Sequence, residues 1–260
     1  METFPDFKVY AEQLADLARW AYRKGWAPGT STNYSVRLPE AAAPAVCAIT
    51  SSGVDKEIIE PADVLAVDCD GRPVNLHGRK PSSETLLHLM LYETVEAGAV
   101  LHTHSLPAAL LSRLAADQGH SSLTLSGWEL QKGLNGVATH ACDVLVPIFP
   151  NSQDMRALAA QIEPRLRDAA ACHGFLLAGH GLYVWGADLR EAKRHLEVFE
   201  FLLECEREVR RHGQASGSGS EASTYFLLAA SSSLSFRFTP ANCPGKGALM
   251  SRSSVLLKNA

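Results

Sequence analysis

The sequence predicts an α/β fold, and three observations carry that prediction. Helical periodicity opens the chain at residues 6–25 and returns at 84–97, 106–118, 152–169 and 188–211. Short apolar runs of strand length fall between these stretches, at 34–38, 45–56, 64–74, 99–105, 143–149 and 174–186. Clusters of Gly, Ser, Thr and Asn punctuate the boundaries, as turns and helix caps require. With 260 residues, 46% of them hydrophobic and 20% charged, the chain has the material for one large domain or two small ones.

The first helix is read from Phe7, Tyr10, Leu14, Leu17, Ala18 and Ala21, which recur at spacings of three and four, with Gly25 as its stop. "PGTSTNYSVRL" is a polar loop running into a strand at 34–38, and "AVCAITSSGVDK" is an apolar strand ending in "TSSG". "VLAVDCDGRPV" reads as two short strands about an Asp-Gly turn. "KPSSE" leads into the 84–97 helix, with Ser82 or Ser83 as its expected cap. Beyond the strand at 99–105 come the 106–118 helix, the segment "SGWELQKGL", the strand "DVLVPIF" and the 152–169 helix. "GFLLAGHGLYVWG" is apolar on both sides of a Gly-His-Gly turn, which predicts two strands joined at His180. In the last helix, Leu189, Ala192, Leu196, Phe199 and Leu203 form the apolar stripe. Periodicity then fails. Residues 213–223 have the composition of a Gly/Ser linker, and the Ser-rich remainder predicts a poorly ordered tail, so the expected division is 1–212 and 213–260.

Charge and cysteine usage exclude several classes. A net charge of −4 without a basic stripe argues against a nucleic-acid binder. Six scattered cysteines without a C-x-x-C pair predict reduced thiols, not a disulfide framework or a structural zinc module. The charged N-terminal segment does not read as a signal peptide, and no apolar run reaches bilayer length, so a cytoplasmic protein without membrane partners is expected.

The stretch that points to chemistry is "AVLHTHS". His102 and His104 lie two apart on a predicted strand and so share a face, a start to a divalent-metal site. A catalytic metal takes three protein ligands and keeps an open position. His180 is the best third ligand, because Gly179 and Gly181 free the backbone around it; His88, His140 and His173 are weaker candidates, and His88 reads as a packed residue. Two carboxylates are placed for proton transfer: Glu84 after "KPSS", which also suits a helix N-terminus, and Glu129 beside Trp128. The hydroxyl clusters around Thr32, Ser52 and Ser82 suit an anion such as phosphate, and no nucleotide-binding glycine pattern is present.

In combination, "TSTNYS", "TSSGVDK", "KPSSETLLH", "AVLHTHS" and "GHGLYVWG" resemble the class II aldolase/adducin family over about residues 6–211. That resemblance implies a three-layer α/β/α sandwich of the class II aldolase type. It also implies one zinc or similar divalent ion on His102, His104 and His180, and commonly a homotetramer. Phosphate-binding loops would fall on Thr32 and Asn33, Ser52 and Gly53, and Ser82 and Ser83. The substrate is then a small sugar phosphate. "SGWELQKG" and "GHGLYVWG" look nearest to a branch that dehydrates a methylthio-substituted ketopentose phosphate, in which Glu129 takes the acid/base role. In the aldolases and epimerases of the family, that role falls on the residue matching Glu84. An aldolase or epimerase is therefore the nearest alternative, and a metal-free adducin-like binding module the next.

Overall fold

The computed structural model describes residues 6–74, 78–167 and 172–216. Eight strands form one mixed sheet in the order β3-β2-β1-β4-β8-β7-β6-β5. They are β1 (Asn33–Arg37), β2 (Cys47–Thr50), β3 (Val64–Val67), β4 (Ala99–Thr103), β5 (Ser122–Leu125), β6 (Val144–Phe149), β7 (Gly174–Leu177) and β8 (Gly181–Gly186). Every pairing is antiparallel except that of β6 with β7. The helices are α1 (Phe7–Arg23), α2 (Thr85–Thr94), α3 (Leu106–Asp117), α4 (Met155–Arg167) and α5 (Leu189–Ser216).

Two separate apolar clusters show the layering. On one face Leu14, Leu111, Leu196 and Leu202 of α1, α3 and α5 pack with Tyr34, Leu101 and Val184 of the sheet. On the other, Leu87 and Leu91 of α2 and Leu158 and Ile162 of α4 pack with Val100, Phe175 and Tyr183. Alternate strand residues feed opposite clusters, as the two-residue strand period demands. The architecture is therefore the expected three-layer α/β/α sandwich.

Several local expectations need correction. The Asp-Gly segment after β3 does not form a second strand: it makes one isolated bridge, Val67 with Pro73, and Pro73 has no N–H to extend a ladder. Neither Ser82 nor Ser83 caps α2 in the expected way. Glu84 is the N-cap residue, and the Ser82 hydroxyl accepts from the Glu84 N–H at 3.2 Å. Strand β5 is an addition to the expected elements, because "SLTL" offers only two buried apolar side chains beside turn-type residues. Helix α5 continues to Ser216, past the expected end at 211. The expected tail beyond that point, and the last two residues of the 152–169 helix, lie outside the described residues. Among the described residues, no helix is long and apolar enough to cross a membrane.

Candidate metal centre and active site

Four segments converge at one end of β4. His102 lies on β4 itself, paired with Asn33 of β1 on one side and Tyr183 of β8 on the other. His104 follows the strand directly, and its N–H donates to the Trp26 carbonyl at 2.9 Å. His180 sits in the β7–β8 turn, where Gly179 takes φ +67°. Gly181 is needed for a different reason: a Cβ there would overlap the Thr103 carbonyl of the neighbouring strand. Glu84 approaches from the N-terminus of α2.

The three imidazoles point their Nε2 atoms at one another: 2.7 Å from His104 to His102, 2.9 Å from His180 to His104 and 3.4 Å from His102 to His180. Glu84 Oε1 lies 3.2 Å from His180 Nε2 and 3.6 Å from His102 Nε2. Among the described residues, these four form a group able to hold a metal ion, with one ligand atom from each within 4.8 Å of the rest. The far ring nitrogens are also used. His102 Nδ1 donates to the Leu182 carbonyl at 3.0 Å, and His180 Nδ1 faces Asn151 Oδ1 at 3.2 Å. Donation from Nδ1 leaves the His102 Nε2 as a bare lone pair, the form that binds metal.

The electrostatics agree with that reading. Burial keeps His102 neutral, holding it well below the usual imidazole range, and lowers His104 to about 4 with help from neighbouring His180. Burial pushes the Glu84 carboxyl up. The hydrogen bond to His180, the adjacent imidazoles and the Asn33 amide outweigh that and hold it below the usual carboxylate range. The site therefore offers three imidazoles and one carboxylate, a donor set that fits zinc and other borderline divalent ions.

The remaining candidates are distributed unevenly. The hydroxyl loops adjoin one another and Glu84: Asn33 Nδ2 donates to Glu84 Oε2 at 2.6 Å, Tyr34 N–H to Thr50 Oγ1 at 3.1 Å, and Ser52 N–H to the Lys80 carbonyl at 2.9 Å. Thr32 is a β-branched residue at φ 73° with a buried, unpartnered hydroxyl, a strained conformation of the kind that functional loops retain. Ser52, Gly53 and Ser83 are exposed. Glu129 stands apart from the four-residue group. Its side chain is 71% exposed on a 3₁₀ turn, where it pairs with Lys132 and lies 3.4 Å from His140.

Reading the sequence missed three residues that the fold brings to this region, and the contacts of a fourth. Tyr183 stacks on the His102 ring, 3.9 Å between centroids, and Asn151 orients His180. Lys56 is wholly buried with its ammonium donating to the Val54 carbonyl at 2.8 Å; burial lowers it to about 8, and its charge acts on His104. His88 is completely buried, which the sequence suggested, and also tied to Asn33, which it did not. Tyr183 and Lys56 lie inside quoted motifs, but their relevance comes from strand register and loop packing.

The model of the class II aldolase and adducin N-terminal domain matches residues 12–206. The chain belongs to that family. It is 47% identical over 201 residues to the methylthioribulose-1-phosphate dehydratase of Pseudomonas syringae pv. tomato, covering 77% of this chain and 95% of the relative. The dehydratase of the same name from Sorangium cellulosum is 42% identical over 204 residues, 78% of this chain and 93% of that one. Among solved structures, Escherichia coli YgbL matches with a TM-score of 0.63 and 28% identity, over 76% and 88% of the two chains. The L-fuculose-1-phosphate aldolase of Thermus thermophilus, 24% identical, shares the fold, with a TM-score of 0.59 over 82% and 98% of the chains. Membership accounts for the order in which the motifs occur and for a group able to hold a metal ion at the end of β4.

Proposed function

We propose that this enzyme is a hydro-lyase of methionine salvage that removes water from 5-methylthioribulose 1-phosphate, giving 2,3-diketo-5-methylthiopentyl 1-phosphate. The observation that carries this reading is identity of 42–47% over 77–78% of this chain to dehydratases of that name, combined with a group able to hold a metal ion. His102, His104 and His180 would hold zinc, with Glu84 beside them. The ion, when bound, supplies a Lewis acid for the C2 carbonyl and C3 hydroxyl oxygens, which acidifies the C3 proton.

The chain's own groups do the rest. A carboxylate removes the C3 proton. The same group, now protonated, delivers that proton to the departing C4 hydroxyl, which leaves as water, and the resulting enol tautomerises to the diketone. The loops at Thr32–Asn33, Ser52–Gly53 and Ser82–Ser83 would receive the phosphate. Their adjacency to Glu84 supports this, although the Asn33 amide is already engaged by Glu84 and His88.

Two carboxylates divide the work in this reading. Glu84 is adjacent to the imidazoles and would hold the metal-proximal position, whereas Glu129 carries the proton transfer. Glu129 lies exposed on its own chain, and in a homo-oligomer, for which a tetramer is the expected form, it would serve the centre of a second copy. We place the enzyme in the cytoplasm, and residues 1–212 as its catalytic part.

The deciding experiment incubates the zinc-loaded enzyme with methylthioribulose 1-phosphate and, separately, with fuculose and ribulose phosphates. Diketone formation from the first alone is expected. Carbon–carbon cleavage or epimerisation of the others, with no water lost from the first, would assign the site to an aldolase or epimerase.

A further inference from the structure

The buried interface between α2 and β1 is polar along one line. Glu84, His88 and Tyr92 recur every four residues and so lie along one face of the helical end and α2. Asn33, Ser35 and Arg37 recur every two residues along one face of β1. The two rows interlock. Asn33 joins Glu84 at 2.6 Å and His88 at 2.5 Å; Ser35 joins His88 at 2.7 Å and Tyr92 at 2.5 Å; Arg37 donates to the Tyr92 carbonyl at 3.2 Å. Ser35 and His88 are wholly buried, and Tyr92 and Asn33 are only 1% and 2% exposed.

The direction of every hydrogen bond follows from one end. Ionised Glu84 can only accept, so the Asn33 NH₂ group must face it. Asn33 Oδ1 then faces His88 and can only accept, so His88 Nε2 carries the donated proton. His88 is kept neutral by burial, which lowers it to about 3, so its Nδ1 is a bare acceptor. Ser35 therefore donates its hydroxyl proton to Nδ1, and the Tyr92 O–H donates to Ser35 Oγ. No group along this line is left to choose. A buried polar chain with every member satisfied fixes side-chain orientation more firmly than apolar packing does.

We propose that His88 is a positioning residue that, through the Asn33 amide, sets the Glu84 carboxylate so that its Oε1 faces the histidine triad. The inference rests on the reading of Glu84 as part of the metal centre. It does not depend on which sugar phosphate the enzyme takes. Replacing His88 by Leu removes the donor to Asn33 Oδ1, which frees the Asn33 amide to rotate and turn its oxygen towards Glu84. Replacing it by Gln keeps an N–H donor at about the Nε2 position.

The test titrates cobalt(II) into the full-length metal-free protein and follows the visible absorption of the ion. His88→Leu is expected to weaken binding about 10- to 100-fold, the usual cost of disturbing a group that orients a ligand. His88→Gln is expected to recover binding to within about threefold of the original, because the donor is restored. In the zinc-loaded enzyme, His88→Leu should lower kcat, and His88→Gln should restore it in step with metal binding. Nitrogen-15 imidazole spectra should show His88 as the Nε2–H tautomer. Thermal melts establish that each variant is folded, and if His88→Leu is not, His88→Asn takes its place, because its shorter amide cannot reach Asn33. Folded His88→Leu or His88→Asn protein that binds cobalt as tightly as the original would overturn the proposal. So would His88→Gln binding no better than the deficient variant, or an Nδ1–H tautomer. A protein that shows the His88 dependence but does not dehydrate the methylthio substrate would sink the proposed function and leave this inference standing.

Discussion

Glu84 and Glu129 have the same side chain in opposite surroundings. Glu84 is 13% exposed, held by Asn33 at one oxygen and facing two imidazoles with the other. Glu129 is 71% exposed, on a turn with Lys132 and His140. Both lie below the usual carboxylate range through different partners: hydrogen bonds from His180 and Asn33 and the adjacent imidazoles outweigh desolvation at Glu84, and the Lys132 hydrogen bond outweighs it at Glu129. A buried, fully partnered carboxylate suits holding a position. An exposed one beside a lysine suits meeting something that arrives from outside the chain. On the proposed division of work, closeness to the ligand group within one subunit does not by itself choose the acid/base.

The largest expected effect separates the two roles. Glu84→Gln should lower kcat by about 10²–10⁴-fold and also weaken metal binding. Glu129→Gln should lower kcat by a similar factor with metal content unchanged. Equal loss of zinc in both variants, measured by elemental analysis, would erase the distinction. A sharper form coexpresses His104→Ala with Glu129→Gln chains. If Glu129 serves a neighbouring copy, mixed oligomers regain activity that neither variant has alone; no recovery from isolated mixed oligomers would return Glu129 to a role within its own chain.

Next in size is Gly181→Ala. Its Cβ would overlap the Thr103 carbonyl, so a loss of about 1–3 kcal/mol in denaturant-measured stability is expected, along with weaker metal binding as His180 shifts. Unchanged stability would mean that the β7–β8 turn can relax without cost.

Beneath the centre lies a third carboxylate, Glu200 of α5, buried against the Thr103 hydroxyl at 2.6 Å. Burial raises it from 4.5 to about 7, outweighing the Ser105 and Thr103 hydrogen bonds. The folded state therefore binds a proton that the unfolded chain has already released between about pH 4.5 and 7. The stability contributed by that proton is complete below the unfolded value and is lost as pH rises through 7, about 3 kcal/mol in all. Glu200→Gln should flatten this part of the stability–pH curve, as read by urea unfolding between about pH 5 and 8. An unchanged slope would place the titration elsewhere.

The smallest effect concerns Lys132→Met, which removes the main cause of the depression at Glu129. Any acidic limb of kcat due to Glu129 should then move to higher pH. A limb that stays in place belongs to another group.

How much of this was legible depended on sequence distance. His102 and His104 are a local pair, and the Gly-His-Gly turn announces its own geometry, so the triad could be read directly. The alternation of helices and apolar strands was equally readable, because each element carries its own period. The second strand after the Asp-Gly turn was not, since Pro73 looks like a strand neighbour in sequence but cannot donate to a ladder. Strand β5 was missed because its pairing with β6, not its own composition, makes it a strand. The role of His88 required the register of β1 against α2, a relation across 55 residues that no local pattern contains. Glu129 shows the same limit from the other side: its apolar neighbour Trp128 suggested burial, yet the turn leaves the carboxylate in solvent.

The bond from the His104 N–H to the Trp26 carbonyl links a member of the four-residue group to the loop after α1, where the Trp26 ring meets that of Trp20 edge to face, 5.2 Å between centroids. Two of the chain's four indoles thus sit together one backbone hydrogen bond from the centre. This gives the protein a built-in optical probe. Loading with cobalt or copper should dim its intrinsic fluorescence, and zinc should leave the emission bright, so metal exchange can be timed in the unlabelled enzyme.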